Sequence, residues 1–360
     1  MSKLRIAIDA RLVFGTSTGD STYWTGLVEG LQNAAGDFHV FLISRGPKPS
    51  GLVLDQRFEW ISRPSSSSRW WSMVQFPLMA RKLAARAIHT QYSLSPLVGK
   101  RGITTIHDVS FLIGPEWFKP RDRIVLSRSV PMGVKRARRV IAVSETCRKE
   151  IEDYILAAKG KTVVTYNACP SWIQAVDRVA ATERVSAELG IVGPFLLTVG
   201  TRWPRKNMGL AIDAAGALAD RYPHVLAVTG KYGWGDDGLG RRGRAVGYVS
   251  SELLSCLYSS ADLYLAPSRH EGFGIPILEA FRCGCPVICS SGGALPEVAG
   301  DAALVQETWD SMDWASSMEM LLDDPSKLRN LRDRGLLREK QFSWLETAEQ
   351  TLKVYREVAA

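Results

Sequence analysis

The chain has 360 residues, 46% of them hydrophobic and 23% charged, with a formal net charge of +8. That composition predicts a soluble globular chain, too long for one ordinary core and so built of two domains. Six cysteines are too few for a disulfide scaffold, and no apolar run reaches the roughly 18 residues a membrane-spanning helix needs.

The opening "MSKLRIAID" enters a strand-like pattern directly, with no signal-peptide core, which predicts a cytoplasmic protein. Charge is uneven. Residues 1–180 carry 26 Lys+Arg against 14 Asp+Glu, whereas 181–360 carry 19 against 23. A basic half can meet nucleic acid, anionic lipid or an anionic substrate, and charge alone does not choose among them.

In chain order, short apolar runs alternate with helix-length segments, the pattern of parallel sheets covered by helices. Strands are predicted at 5–9, 39–44, 58–62, 87–90, 103–107, 140–144 and 162–167. Helices are predicted between several of them, near 21–35, 69–86 and 121–138. The Ser-rich "RPSSSSR" (63–69) reads as a loop, and Trp70 and Trp71 beside it as core. The pattern then restarts, with strands at 195–200, 224–230, 245–249, 263–268, 286–291 and 302–306 and helices at 208–222 and 251–261. The predicted organisation is a first domain over 1–175, a linker over 176–193, a second domain over 194–342 and a terminal helix over 343–360 that packs back on a domain. Two doubly wound α/β domains in tandem imply a cleft between them, with ligands outside the carboxyl ends of the strands.

The residues that follow the strands carry the chemistry. "TRWPRKN" (201–207) puts Arg202, Arg205 and Lys206 on a short loop before a helix. Cations beside a helix N-terminus suit a diphosphate; a solvated charged loop is the alternative. "HEGFGIPILEA" (270–280) places Glu271 in a loop and Glu279 about one turn inside the next helix, with Pro276 in its first turn. Gly272 and Gly274 allow close backbone approach. Carboxylates accept hydrogen bonds from hydroxyls, so the two glutamates fit a ligand with a sugar at one end, a ribose at the other and a diphosphate between. The alternative is one glutamate capping a helix and the other pairing with an arginine. His107 ends a first-domain strand. The loop "GTSTGDSTYW" (15–24) matches neither GxGxxG nor GxxxxGK[ST]. Cys283, Cys285 and Cys289 in "CGCPVIC" lack a CxxC pair and read as small buried side chains rather than metal ligands.

Taken together, "TVGTRWPRKN", "GYVSSELLSCLYSSADLYLAPS" and "HEGFGIPILEAFRCGCPVICSSGGALPEVAGDAALV", with "TIHDVSF", "GPEWFKPRDR" and "RVIAVSET" in the first half, resemble the family-4 retaining glycosyltransferases of GT-B fold. The resemblance covers about residues 3–350 and leans toward bacterial mannosyltransferases that build polysaccharides. It implies that Arg205 and Lys206 clamp the donor diphosphate, that Glu271 contacts the donor sugar and that Glu279 holds the ribose. It further implies donor contacts from Gly200, Thr201, Gly272, Phe273, Gly274 and Ile275, nucleobase contacts at Tyr248 and Val249, and His107 beside the sugar.

The implied reaction is metal-independent transfer of a hexose from a GDP- or UDP-linked donor, with mannose from GDP-mannose preferred, to a saccharide or lipid-linked acceptor. No cofactor is implied beyond the donor. The family's first loop usually reads like G-I-G-R-Y, whereas here Gly19, Asp20 and Ser21 begin "GDSTY" on the acceptor side. That departure motivates a rival reading, a GT-B protein that binds a nucleotide-sugar without transferring it. "YNAC" (166–169) likewise stands where the family has "YNGV". The basic stretch 119–139 offers a surface for peripheral contact with an anionic membrane, with a solvated helix face as the alternative. A nicotinamide oxidoreductase lacks its GxGxxG, and a nucleic-acid partner lacks a recognisable binding motif.

Overall fold

The computed structural model describes residues 3–15, 19–231, 233 and 243–360. Residues 16–18 of the first loop therefore lie outside the described residues. Each apolar run named above contains or overlaps a strand. The first seven are β1 (Leu4–Asp9), β2 (Phe38–Ser44), β3 (Phe58–Ser62), β4 (Ala87–Gln91), β5 (Gly102–Ile106), β6 (Arg139–Ala142) and β7 (Thr162–Val164). They form one sheet in the order β3-β2-β1-β4-β5-β6-β7. The next six are β8 (Phe195–Val199), β9 (Val225–Thr229), β10 (Gly243–Gly247), β11 (Leu263–Ala266), β12 (Val287–Ser290) and β13 (Leu304–Gln306), in the order β10-β9-β8-β11-β12-β13. All pairings within the two sheets are parallel. In each sheet the order reverses once, beside β1 in the first and beside β8 in the second.

The continuous apolar runs follow from burial on both faces. Ile6, Ile8, Val40, Leu42 and Ile88 are fully buried in the first sheet. Leu196, Leu226, Leu263 and Ile288 form the second core with Trp314 and Met318.

The chain divides into two compact units, Met1–Asn167 with Ser343–Ala360, and Ala168–Phe342. The C-terminal helix Trp344–Ala359 belongs to the first unit. It lies against the helix Gly19–Asn33, where a Cβ at Gly30 would stand 2.0 Å from the Trp344 carbonyl oxygen. Only glycine permits that approach of two backbones.

Three local expectations change. The stretch 176–193, read as linker, holds the helix Arg178–Leu189. Asp177 caps its start, accepting from the Val179 and Ala180 amides, and Gly190 ends it with φ of 60°. The predicted helix over 69–86 is three short pieces, Ser68–Trp70, a π-type turn at Trp71–Gln75, and Phe76–Lys82 with Pro77 in its first turn. The two adjacent tryptophans separate: Trp71 is fully buried, as read, whereas Trp70 is 55% exposed.

Candidate active site

In the second unit, the segments that follow five strands, β8 to β12, build one constellation. After β8, the Gly200 amide donates to the Thr229 carbonyl at 2.9 Å, and Thr201 leads into the single turn Pro204–Lys206. Gly230, after β9, has φ of 137°, and a Cβ there would stand 2.0 Å from the Gly200 carbonyl oxygen. Two loop backbones therefore meet where no other residue fits. The Gly230 amide donates in turn to the Gly247 carbonyl, so the end of β10 is tied to the same place. Tyr248 follows, 56% exposed, with the Lys231 ammonium 5.1 Å from its ring centre, and half-buried Val249 comes next.

The loop after β11 carries the charges. The Arg269 amide donates to the Arg205 carbonyl at 2.8 Å and joins this loop to the one after β8. Glu271 is 9% exposed. Arg205 Nη1 donates to its Oε2 at 2.9 Å and Lys206 Nζ to its Oε1 at 2.6 Å. Arg205 Nη1 also donates to the His270 carbonyl. Burial alone would raise the Glu271 carboxyl, but the Arg205 and Lys206 charges outweigh it and hold it far below the usual carboxylate range. The peptide of Glu271 is held as well. Its carbonyl accepts from the Ala294 amide at 2.8 Å, across a parallel bridge to Gly293 in the loop after β12.

Gly272 and Phe273 are buried, the Phe273 ring standing edge-on to Phe342 with centres 5.7 Å apart. Gly274, with φ of 102°, turns the chain into the helix Ile275–Arg282. Glu279 lies inside this helix, 8% exposed, and accepts from the Tyr258 hydroxyl at 2.9 Å. Burial pushes the Glu279 carboxyl up to about 7, against the Tyr258 hydrogen bond and the Lys206 and Arg282 charges.

The structure thus joins Arg205, Lys206 and Glu271 directly, with Glu279 in the field of Lys206 and Arg282. Tyr258 escaped the sequence reading because a tyrosine on the apolar face of a helix looks like core. Among the described residues, no group of three or more His, Cys, Asp and Glu side chains could hold a metal ion.

The remaining candidates lie in the first unit. His107, 9% exposed, follows β5. Its Nε2 is 3.2 Å from Gln91 Oε1 and 3.8 Å from Asp20 Oδ1, and its ring meets Tyr23 edge-on at 4.9 Å. Gln91 Nε2 donates to Asp20 Oδ2 at 3.1 Å, and the Trp24 indole to Gln91 Oε1 at 2.6 Å. Gly19 starts the helix Gly19–Asn33 and Asp20 sits in its first turn. Ser21 is buried, and its hydroxyl donates to the Leu12 carbonyl at 2.7 Å. Gln91, the last residue of β4, went unnamed in the sequence reading, although the rule of inspecting residues after each strand leads to it.

Two doubly wound units of parallel strands, the second with paired cations on a buried glutamate at its strand ends, are the architecture of the GT-B fold. The comparisons agree. Residues 18–170 match the model described as Glycosyltransferase Family 4, and residues 182–338 the model described as Glycosyl transferases group 1. The O-antigen chain mannosyltransferase B of Escherichia coli is 36% identical over 272 residues, 71% of this chain and 70% of that protein. The serotype-specific mannosyltransferase WbdA of Escherichia coli is 29% identical over 61% of this chain, which spans only 29% of WbdA's length. A solved structure of Anabaena Alr3699/HepE, in complex with UDP and glucose, shares the fold with a TM-score of 0.73 at 17% identity, covering 98% of this chain and 100% of that one. The chain belongs to the group 1 and family 4 glycosyltransferases.

Proposed function

We propose that the chain is a retaining, metal-independent hexosyltransferase that moves mannose from GDP-mannose to a hydroxyl of a saccharide or lipid-linked acceptor. The observation that carries this reading is the pairing of Arg205 and Lys206 on Glu271. Breaking the sugar–phosphate bond builds negative charge on the leaving diphosphate. Two fixed cations beside the start of the helix Ile275–Arg282 supply the stabilisation that a metal ion would otherwise give.

In this reading Glu271 anchors the donor sugar and Glu279 the ribose. The backbone at Gly200, Thr201 and Gly272–Ile275 approaches sugar and phosphates, and Tyr248 and Val249 meet the base. Glu271 is not the nucleophile. Both its oxygens carry a cation, which lowers their basicity, so front-face attack with the leaving phosphate taking the acceptor proton is favoured. The mannosyl preference is supported by the mannosyltransferase relatives. UDP in the HepE complex keeps the uridine donor in the test. The basic helix Pro120–Arg136, with Ile124, Val125 and Met132 exposed, supports peripheral contact with anionic lipid. Among the described residues no helix is long and apolar enough to cross a membrane.

The test is thermal melting in EDTA with GDP, UDP or no ligand, for wild type and Arg205→Ala. A rise with one nucleotide, lost in Arg205→Ala, identifies the base and supports the metal-free clamp. Shifts that appear only when a divalent ion replaces EDTA would overturn the metal-independent reading.

A further inference from the structure

Asp20, Trp24, Gln91 and His107 form a network in the first unit whose proton positions follow from donor and acceptor chemistry. β4 and β5 pair in parallel with Gln91 opposite Thr105, which sets Gln91 beside the chain leading to His107. Asp20 and Trp24 are four residues apart on the helix Gly19–Asn33 and so share one of its faces. They grip the two ends of the Gln91 amide. The buried Trp24 indole donates to Gln91 Oε1 at 2.6 Å, and Gln91 Nε2 donates to Asp20 Oδ2 at 3.1 Å.

A side-chain amide can ordinarily be turned over, exchanging its oxygen and nitrogen. Here its partners forbid it. An indole N–H only donates and a carboxylate only accepts, so the oxygen must face Trp24 and the nitrogen Asp20. The same oxygen lies 3.2 Å from His107 Nε2. An amide oxygen only accepts, so Nε2 must carry a proton. Asp20 Oδ1, 3.8 Å from Nε2, favours a proton on that nitrogen as well. The His107 ring stands edge-on to Tyr23 with centres 4.9 Å apart and tilted to Tyr92 at 5.6 Å. Turning the ring over would set a carbon against the Gln91 oxygen. In a neutral imidazole with Nε2 protonated, Nδ1 carries the lone pair and accepts.

We propose that Gln91, oriented by Asp20 and Trp24, is a positioning residue that holds His107 in its Nε2–H form and so presents Nδ1 to a ligand hydroxyl. A hydroxyl can donate to that lone pair, whereas a phosphate oxygen, itself an acceptor, is repelled by it. The inference rests on the glycosyltransferase reading, in which His107 stands beside a sugar. It also gives the departure at Asp20 a use: where the family's loop usually carries isoleucine, a carboxylate fixes the amide that fixes the imidazole.

The test is nitrogen-15 NMR of the full chain labelled at histidine, at pH 8, with His107→Gln assigning the signal among the five histidines. Wild type should show His107 protonated at Nε2 alone, with that proton protected from exchange with water. Gln91→Met removes the oxygen and should speed the exchange at least about tenfold. Gln91→Glu combined with Asp20→Asn swaps the charge and the amide while keeping every bond, so it should restore the protection. In turnover with radiolabelled nucleotide-sugar, Gln91→Met should lower kcat at least about tenfold, and adding it to His107→Gln should cost nothing further. A proton on Nδ1 in wild type, a wild-type Nε2 proton that exchanges freely, unchanged exchange in Gln91→Met, or losses that multiply in the double variant would each overturn the assignment. The wild-type spectra can do so even if Gln91→Met fails to fold. If the spectra are as expected but no nucleotide shifts the melting and no sugar is transferred, the transferase reading fails, and the placing of His107 beside a sugar with it, while the tautomer assignment stands.

Discussion

Replacing Glu279 with glutamine separates the cost of burying this carboxylate from its use. Burial pushes Glu279 up to about 7 from an ordinary 4.5. Below 4.5 the carboxyl is neutral in both folded and unfolded chains. Between 4.5 and 7 the folded chain holds the proton more tightly, so stability falls as pH rises through that window. Above 7 the cost is complete, and at about 1.4 kcal/mol per pH unit it comes to roughly 3.5 kcal/mol. Glutamine keeps the shape and still accepts from the Tyr258 hydroxyl, while removing the charge. Glu279→Gln should therefore match wild type near pH 5 and exceed it near pH 8. At roughly 2–4 °C per kcal/mol for a unit of this size, the gain is several degrees in melting temperature. The same variant should bind nucleoside diphosphate more weakly, because the carboxylate proposed to accept from ribose hydroxyls is gone. A stability difference that is flat between pH 5 and pH 8 would refute the reasoning, as would a variant less stable than wild type at pH 8.

Arg205→Ala should lower turnover about 100- to 1,000-fold, the usual effect of removing one preorganised donor from a developing anion, measured with radiolabelled nucleotide-sugar. Glu271→Gln should also lose most turnover. It leaves Arg205 and Lys206 without their carboxylate, so its ligand-free melting temperature should drop and its rise with pyrophosphate should exceed that of wild type; an unchanged rise would contradict the pairing. His89 is fully buried between Tyr355 and Thr105, and burial, with the His107 charge, pushes its imidazole down to about 3. The His89 contribution to stability should therefore fall away as pH drops below about 6.5, opposing the Glu279 contribution there, and His89→Gln should lose less stability than wild type between pH 6.5 and pH 4 in melting profiles. Gly30→Ala drives a methyl group to within 2.0 Å of the Trp344 carbonyl oxygen, so it should cost at least about 2 kcal/mol in urea unfolding even though alanine is the better helix former.

The two sheets were legible because a parallel strand buried on both faces is written as a continuous apolar run. Helix edges were less so. The stretch over 176–193 has mixed polarity and was read as linker, yet Asp177 and Gly190 are start and stop signals thirteen residues apart. Trp70 and Trp71 carry the same side chain and share a neighbourhood in sequence. The turn geometry of Ser68–Gln75 sends one into the core and leaves the other exposed, which composition cannot foresee. At the site, Glu271, Glu279, Arg205 and Lys206 were legible as charges at the ends of strands or the start of helices. Tyr258, Gln91 and the tie between Gly200 and Gly230 were not, because each matters through a partner 16 or more residues away.

The spacing of Glu271 and Glu279 presents them as equals, and the structure makes them opposites. Both are nearly buried, so desolvation pushes both carboxyls upward. What separates them is the distance to the cations. Glu271 touches Arg205 and Lys206, and two charge-assisted hydrogen bonds outweigh its desolvation. Glu279 has a neutral Tyr258 hydroxyl in contact and feels Lys206 and Arg282 only through their fields, so desolvation wins. At neutral pH one carboxylate is permanently charged and already neutralised, while the other sits near its own titration point. The first can hold the two cations ready for a diphosphate without leaving buried positive charge unbalanced when no donor is present. The second gains most from a ligand whose hydroxyls donate to it, since such donors favour its ionised form. The division of labour proposed for the pair therefore follows from which side chains reach each glutamate, not from the motif that contains them.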